Sequence, residues 1–193
     1  METILDGRVY THDIDEWKIS WKSHEEYRHW CVQKHPSNFD YILVIMLNPG
    51  SLSHDGRNLK RDSTLRILRE VFQGTGFNPF VINLFDLATT SPEILFKSWD
   101  KRDRDTLVYE HLNFNMFKGK LFAYGSYETR PGVGNDIKKR ISNLRSYLSH
   151  LPEVQINKNK DGTPKHPMSW QRQKLKGDIK SIISEFKTIS NNF

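Results

Sequence analysis

The chain has 193 residues, a formal net charge of +6 and a hydrophobic fraction of 36%, a size that one compact domain accommodates. Its single cysteine, Cys31, excludes an internal disulfide, a cysteine-based zinc site and a cysteine-ligated iron–sulfur cluster. No apolar run is long enough to span a bilayer and Met1-Glu2-Thr3 opens no signal peptide, so a cytoplasmic protein is expected; the positive charge favours an anionic partner.

Residues 1–38 alternate polar and aromatic side chains and are expected to form a β-rich extension. Asp6-Gly7, between Ile4-Leu5 and Val9-Tyr10, reads as a hairpin turn. Tyr27 to Gln33 reads as a strand or a short helix, the strand being preferred. Tyr41 to Met46 is a continuous aliphatic run, the pattern of a strand buried on both faces and hence central in a parallel sheet. It ends in Leu47-Asn48-Pro49-Gly50: Pro49 stops the ladder, Gly50 turns the chain, and Asn48 is delivered to the strand's C-terminal edge.

After a polar loop, Asp62 or Ser63 caps a helix with Leu65, Leu68, Val71 and Phe72 on one face. Pro79 to Phe85 is the second buried strand. Helical stretches are predicted from Pro92 to Trp99 and from Arg102 to Met116. Lys120 to Gly125 is a third strand, Asn135 to His150 a helix, and Val154 to Ile156 a short fourth strand. A basic loop, Asn157 to Trp170, leads to a terminal helix with Leu175, Ile179, Ile182 and Phe186. Strands alternating with helices predict a three-layer α/β/α sandwich around a mainly parallel sheet. Without repeats or low-complexity linkers, residues 1–193 form a single domain, with the α/β core over 39–193.

In such a sheet the strand ends share one edge, where ligands bind. Asn48, Asn83, Gly125-Ser126 and the loop Asp161-Gly162-Thr163-Pro164-Lys165-His166-Pro167 therefore converge on one cleft. Each also has a bland reading: an Asn pinning its own turn, a loop histidine, a helix cap at Asp62. The eight histidines show no paired metal spacing, and GxGxxG, GxxxxGK[ST] and GxSxG are all absent.

The order Asn-Pro-Gly after strand one, Asn in strand two, a glycine-ended strand three and His-Pro in a late loop resembles the uracil-DNA glycosylase superfamily. More closely, it is similar to a bacterial family of unassigned function with the pattern Met-Leu-Asn-Pro, Asp-x-Thr-apolar-Arg, Asn-Leu-Phe and Asp-Gly-x-Pro-x-His-Pro. Here those are Met46 to Pro49, Asp62 to Arg66, Asn83 to Phe85 and Asp161 to Pro167. Met46 stands where the superfamily's mismatch-specific branch has glycine, and Met168 where other branches have serine.

The resemblance implies a uracil-DNA-glycosylase-like fold and a monofunctional DNA glycosylase, needing no cofactor or metal, that acts as a monomer on DNA. Its substrate is a flipped uracil or a modified or damaged pyrimidine, such as a modified phage base. Asn48 is expected to position water and His166 to stabilise the departing base, with substrate contacts from Asn83, Pro49, Gly50, Phe85, Ser126 and Arg66. Phe85 and Tyr127 are the aromatics considered for stacking. Lys158, Lys160 and Lys165 are expected on DNA phosphates, with Met168, Ser169 and Trp170 at the duplex. A non-catalytic nucleic-acid-binding module and a hydrolase of free nucleosides or nucleotides stay open as alternatives.

Overall fold

The aliphatic run ending at Met46 is a strand buried on both sides, and the molecule is built outward from it. The computed structural model describes residues 7–50, 59, 61–104, 112–156, 158–172, 184 and 188. Six strands, β1 (Arg8–Ile14), β2 (Trp17–His24), β3 (Tyr27–Lys34), β4 (Asp40–Met46), β5 (Phe77–Asn83) and β6 (Phe117–Phe122), form one sheet in the order β1-β2-β3-β5-β4-β6. The helices among the described residues are α1 (Ser63–Phe72), α2 (Pro92–Lys97), α3 (Gly134–Tyr147) and α4 (Pro167–Arg172), with short 3-10 turns at Trp99–Lys101 and Phe114–Met116.

Strand alternation assigns the two faces of β4. Ile42, Val44 and Met46 pack with Leu65, Leu68, Val71 and Phe72 of α1, whereas Leu43, Ile45 and Leu47 pack with Ile137, Ile141 and Leu144 of α3. Each fully buried aliphatic of this kind contributes about 1.5–3 kcal/mol of transfer free energy. β4 runs parallel to both β5 and β6.

The expected three-layer α/β/α sandwich with a mainly parallel sheet is not the architecture. The sheet is mixed: β1–β2, β2–β3 and β3–β5 all pair antiparallel, and the helices among the described residues are few. The reason is that the N-terminal segment is no extension. Its three strands continue the same sheet, and β3 docks directly on β5 through Cys31↔Val81 and Val32↔Phe80. The fold is therefore β-rich, and the glycosylase-like architecture is overturned with the parallel sheet.

Smaller differences follow the same lines. Gly7 directly precedes β1, which runs through Val9 and Tyr10, while Ile4, Leu5 and Asp6 of the expected hairpin lie outside the described residues. Among the described strands, hairpins turn after Ile14 and His24, where Asp15 (φ 52°) and Glu25 (φ 51°) take the positive φ that two-residue turns demand. Of the helix expected from Arg102 to Met116, residues 105–111 lie outside the described set, and the end of the segment is the 3-10 turn Phe114–Met116. The fourth strand reduces to one parallel bridge, Lys120↔Glu153. Leu175, Ile179, Ile182 and Phe186 of the expected terminal helix lie outside the described residues.

Candidate functional site

At the C-terminal edge of β4 a cavity of about 410 Å³ opens, lined by residues from six places in the chain. Asn48, Pro49 and Gly50 come from the end of β4, Thr89 to Pro92 from the segment after β5, and Tyr127 from beyond β6. Asp62, Thr64 and Leu65 come from the start of α1, His166, Met168 and Ser169 from around α4, and Arg28 from β3. The size lies in the range of small-ligand sites, about 300–1,000 Å³.

Asn48 is half-buried and its orientation is assigned by its partners. Its Nδ2 donates to the carbonyl oxygens of Pro49 (2.9 Å) and Leu87 (3.4 Å) and to Thr89 Oγ1 (2.9 Å). Carbonyls only accept, so the nitrogen must face them and the amide cannot be flipped. Its acceptor, Oδ1, makes no hydrogen bond among the described residues. Thr89 is held in turn: its N–H donates to Pro49 O (3.1 Å) and its hydroxyl to Ser91 O (2.8 Å). The bland reading, in which Asn48 pins its own turn, describes one half of the side chain. The other half is an acceptor held rigidly by that same turn.

His166 reaches the cavity through a loop locked by its own side chains. The Asp161 carboxylate accepts from Thr163 N–H (3.1 Å), from Thr163 Oγ1 (2.6 Å) and from the Ser126 hydroxyl beyond β6. Those bonds, Ser126 first, hold the Asp161 carboxyl below the usual carboxylate range. Asn159 Nδ2 donates to Thr163 Oγ1 (3.0 Å) and Pro164 O (3.1 Å). At the end of the loop, the Met168 N–H donates to His166 Nδ1 at 3.3 Å. An amide N–H only donates, so Nδ1 is the acceptor and neutral His166 carries its hydrogen on Nε2. Gly125, at φ +86°, is where the chain passes beneath: a Cβ there would lie 3.1 Å from the Tyr127 ring and 3.5 Å from His166 Cβ. Both the left-handed backbone and the close approach suit glycine.

The cavity brings together Asn48, Pro49, Gly50, His166, Met168 and Ser169 of the residues expected from the sequence, together with Tyr127. Others lie elsewhere. Asn83 is buried at the end of β5 outside the lining, with its Oδ1 lacking a hydrogen-bond partner. Phe85 is a core residue, its ring 4.6 Å from that of Trp99 and under the guanidinium of Arg140; it is unavailable for stacking on a base. Trp170 is 1% exposed and packs in the core, and a wedge into a duplex has to be exposed. Lys165 is also buried, which separates it from the exposed Lys158 and Lys160. Lys158 lines a different cavity, with Tyr124 and Glu128. Arg66 is exposed on α1, and Ser126 is the anchor of the Asp161 loop.

Two charged lining residues, Asp62 and Arg28, were not among the site residues expected from the sequence. Asp62 was legible as a helix cap, and it is one: Oδ1 accepts from Thr64 N–H (2.8 Å) and Leu65 N–H (3.0 Å). Its second oxygen, Oδ2, lies 3.0 Å from where a Cβ on Gly50 would be, so Gly50 makes room for a carboxylate beside Asn48. Arg28 sits in a segment read as a strand or a short helix, with no site role. Because β3 runs antiparallel to β5, its N-terminal end lies at the edge where β5 finishes, secured by Arg28 N–H to Asp86 O (2.9 Å) and Ala88 N–H to Glu26 O (2.8 Å). Beneath the two, the Cys31 thiol is pushed up to about 12, chiefly by burial; Arg28 pulls it down and Asp62 raises it. A buried thiol in that state is inert.

The fold and site thus define a mixed-sheet protein with a cavity of mixed polar and apolar lining at the C-terminal edge of β4. The chain belongs to the family described as "Protein of unknown function (DUF1643)", which matches residues 27–168 and so includes Arg28, Asn48, Asp62 and His166. No curated protein matches it. Among the described residues no helix is long and apolar enough to cross a membrane, and no group of three or more His, Cys, Asp or Glu residues is arranged to hold a metal ion.

Proposed function

We propose that this protein hydrolyses the N-glycosidic bond of a pyrimidine nucleotide carried in DNA, leaving an abasic site. The observation that carries the reading is the meeting of Asn48 and His166 in one cavity with opposite hydrogen-bonding polarity. Breaking such a bond develops an oxocarbenium-like sugar and negative charge on the departing base. An acceptor is needed for the attacking water and a donor for the base.

Asn48 Oδ1 accepts a hydrogen bond from the water and aligns it; an amide is no base. The Asp62 carboxylate in the same cavity takes the water's proton and its charge favours the positive sugar. Water oxygen bonds to C1′ as the C1′–N bond breaks, and the electron pair leaves on the base. His166 Nε2–H donates to a carbonyl oxygen of that base and spreads its charge, after which the base takes a proton from solvent. Tyr127, backed by Phe96 with ring centroids 5.5 Å apart, supplies an aromatic face.

One observation favours a second reading, hydrolysis of free nucleotides. The burial of Lys165 and Trp170 removes two of the six groups expected to hold DNA, while the cavity itself accommodates a mononucleotide. A substrate series decides: duplexes and single strands bearing altered pyrimidines, scored for alkali-labile sites, beside the matching free nucleosides and nucleotides, scored for released base. Release from oligonucleotides alone supports the glycosylase, release from free nucleotides alone supports the second reading, and release from neither removes both.

A further inference from the structure

The innermost lining of the cavity holds a charge that the fold leaves unanswered. Arg28 is 2% exposed, and its Nε and Nη1 are buried without a hydrogen-bond partner. It shares the lining with Met46 and Leu65, which are buried as well, whereas Thr90, Ser91 and Met168 of the same lining are more exposed. No carboxylate among the described residues forms an ion pair with it. Asp62 is the nearest acid in the lining, and its Oδ1 is spent on the α1 cap.

Other buried cations of this molecule are treated differently. Lys120 Nζ donates to Leu148 O (2.8 Å) and Leu151 O (2.5 Å), and Arg140 clasps Asp103 at 2.7 Å. A guanidinium cannot shed its proton to escape burial, so Arg28 stays charged. An uncompensated buried charge destabilises the protein that carries it unless a bound group answers it.

We propose that Arg28 is an anion-binding residue at the floor of the cavity, and that the ligand carries an oxyanion there, a carboxylate or a phosphate. This rests on the cavity being the ligand site of the proposed function, though not on its chemistry. Two sources fit the shared oxyanion chemistry: an acidic substituent on the pyrimidine ring, with the base inserted first, or the 5′-phosphate of a free mononucleotide. A plain uracil offers only neutral carbonyls, weaker partners for a guanidinium than an ionised oxygen.

Calorimetric titration with two matched pairs tests the proposal: thymidine against 5-carboxy-2′-deoxyuridine, and deoxyuridine against its 5′-monophosphate. Wild type is expected to bind the anionic member of one pair about tenfold or more tightly than its neutral partner, as a charge-assisted bond implies. The pair that shows the preference identifies the source. Arg28→Met is expected to erase the preference and to melt no lower than wild type when ligand-free, because a buried charge has been removed. Arg28→Lys keeps the charge without the planar fork, so it should fold and retain a reduced preference; it decides the matter if Arg28→Met does not fold. Equal binding within both pairs by wild type overturns the proposal, as does a full preference surviving in Arg28→Met. Base release is not read in these titrations, so an anion preference together with no release in the substrate series would remove both hydrolytic readings and leave this proposal standing.

Discussion

Two arginines, both largely withdrawn from solvent, are treated in opposite ways by this fold. Arg140 on α3 donates to both oxygens of Asp103, at 3.3 and 2.7 Å, and to Leu84 O at 2.8 Å, and covers the ring of Phe85. It ties a helix to the segment that leaves β5. Arg28, more deeply buried, has two nitrogens with no partner and lines the cavity. The same residue type is thus satisfied where the fold needs a clasp and left unsatisfied in the cavity we propose as the ligand site.

Breaking the clasp should have the larger effect. Arg140→Met strands Asp103 in a buried setting, and losing one partner of such a pair costs about 3–5 kcal/mol; urea unfolding measures it. Burial already lifts the Asp103 carboxyl above its ordinary range while Arg140 opposes that lift. In the variant the folded-state value rises further. A raised carboxyl leaves stability fully present below the unfolded value, about 3.9, and lost as pH rises through the folded one. The deficit of Arg140→Met should therefore be greatest near neutral pH and shrink in acid. The counterpart, Arg28→Met, should lose no stability at all.

Asn48→Ala sharpens the comparison from the side of the turn. It removes the donor serving Pro49 O, Leu87 O and Thr89 Oγ1, so a loss of about 1–3 kcal/mol is expected in thermal or urea melts. Asn48→Asp is isosteric but sets an oxygen against two carbonyls. It should melt below Asn48→Ala at neutral pH and recover as the carboxyl protonates.

The lysines give the smallest effects. Replacing Lys158 and Lys160 together should weaken DNA binding about equally for all sequences and flatten the salt slope by about 2. Lys165→Ala, at a buried position, should lower the melting temperature instead. No change in affinity for the double variant would place any DNA contact elsewhere.

What was legible in the chain follows from where local pattern and tertiary contact agree. The aliphatic run of β4, the period of α1 and α3, and the order of the Asn-Pro-Gly and His-Pro segments are local signals, and they led to one edge of the sheet. The hairpins were hidden because Asp15 and Glu25, rather than glycine, hold the positive φ. The antiparallel docking of β3 on β5 has no local signature: Cys31 and Val32 meet Val81 and Phe80 only in the folded sheet. That contact is why the sheet is mixed rather than parallel, and why Arg28 reaches the cavity lining without any local signal. Phe85 and Trp170 failed as ligand contacts for a related reason. Aromatic residues serve cores and binding sites equally well, and only burial separates the two.

The most direct measurement of the central claim is single-turnover base release by wild type, Asn48→Ala and His166→Ala, on whichever altered-pyrimidine substrate the series identifies. Folding is monitored for each variant by its melting curve. Release by wild type, slowed in each folded variant on the order of 10²–10³-fold, is the predicted result. The two losses should fail to multiply in the double variant, since both groups act on one transition state. Full-rate release by folded Asn48→Ala and His166→Ala would contradict the account, because the cavity they share would then not be where the bond is broken.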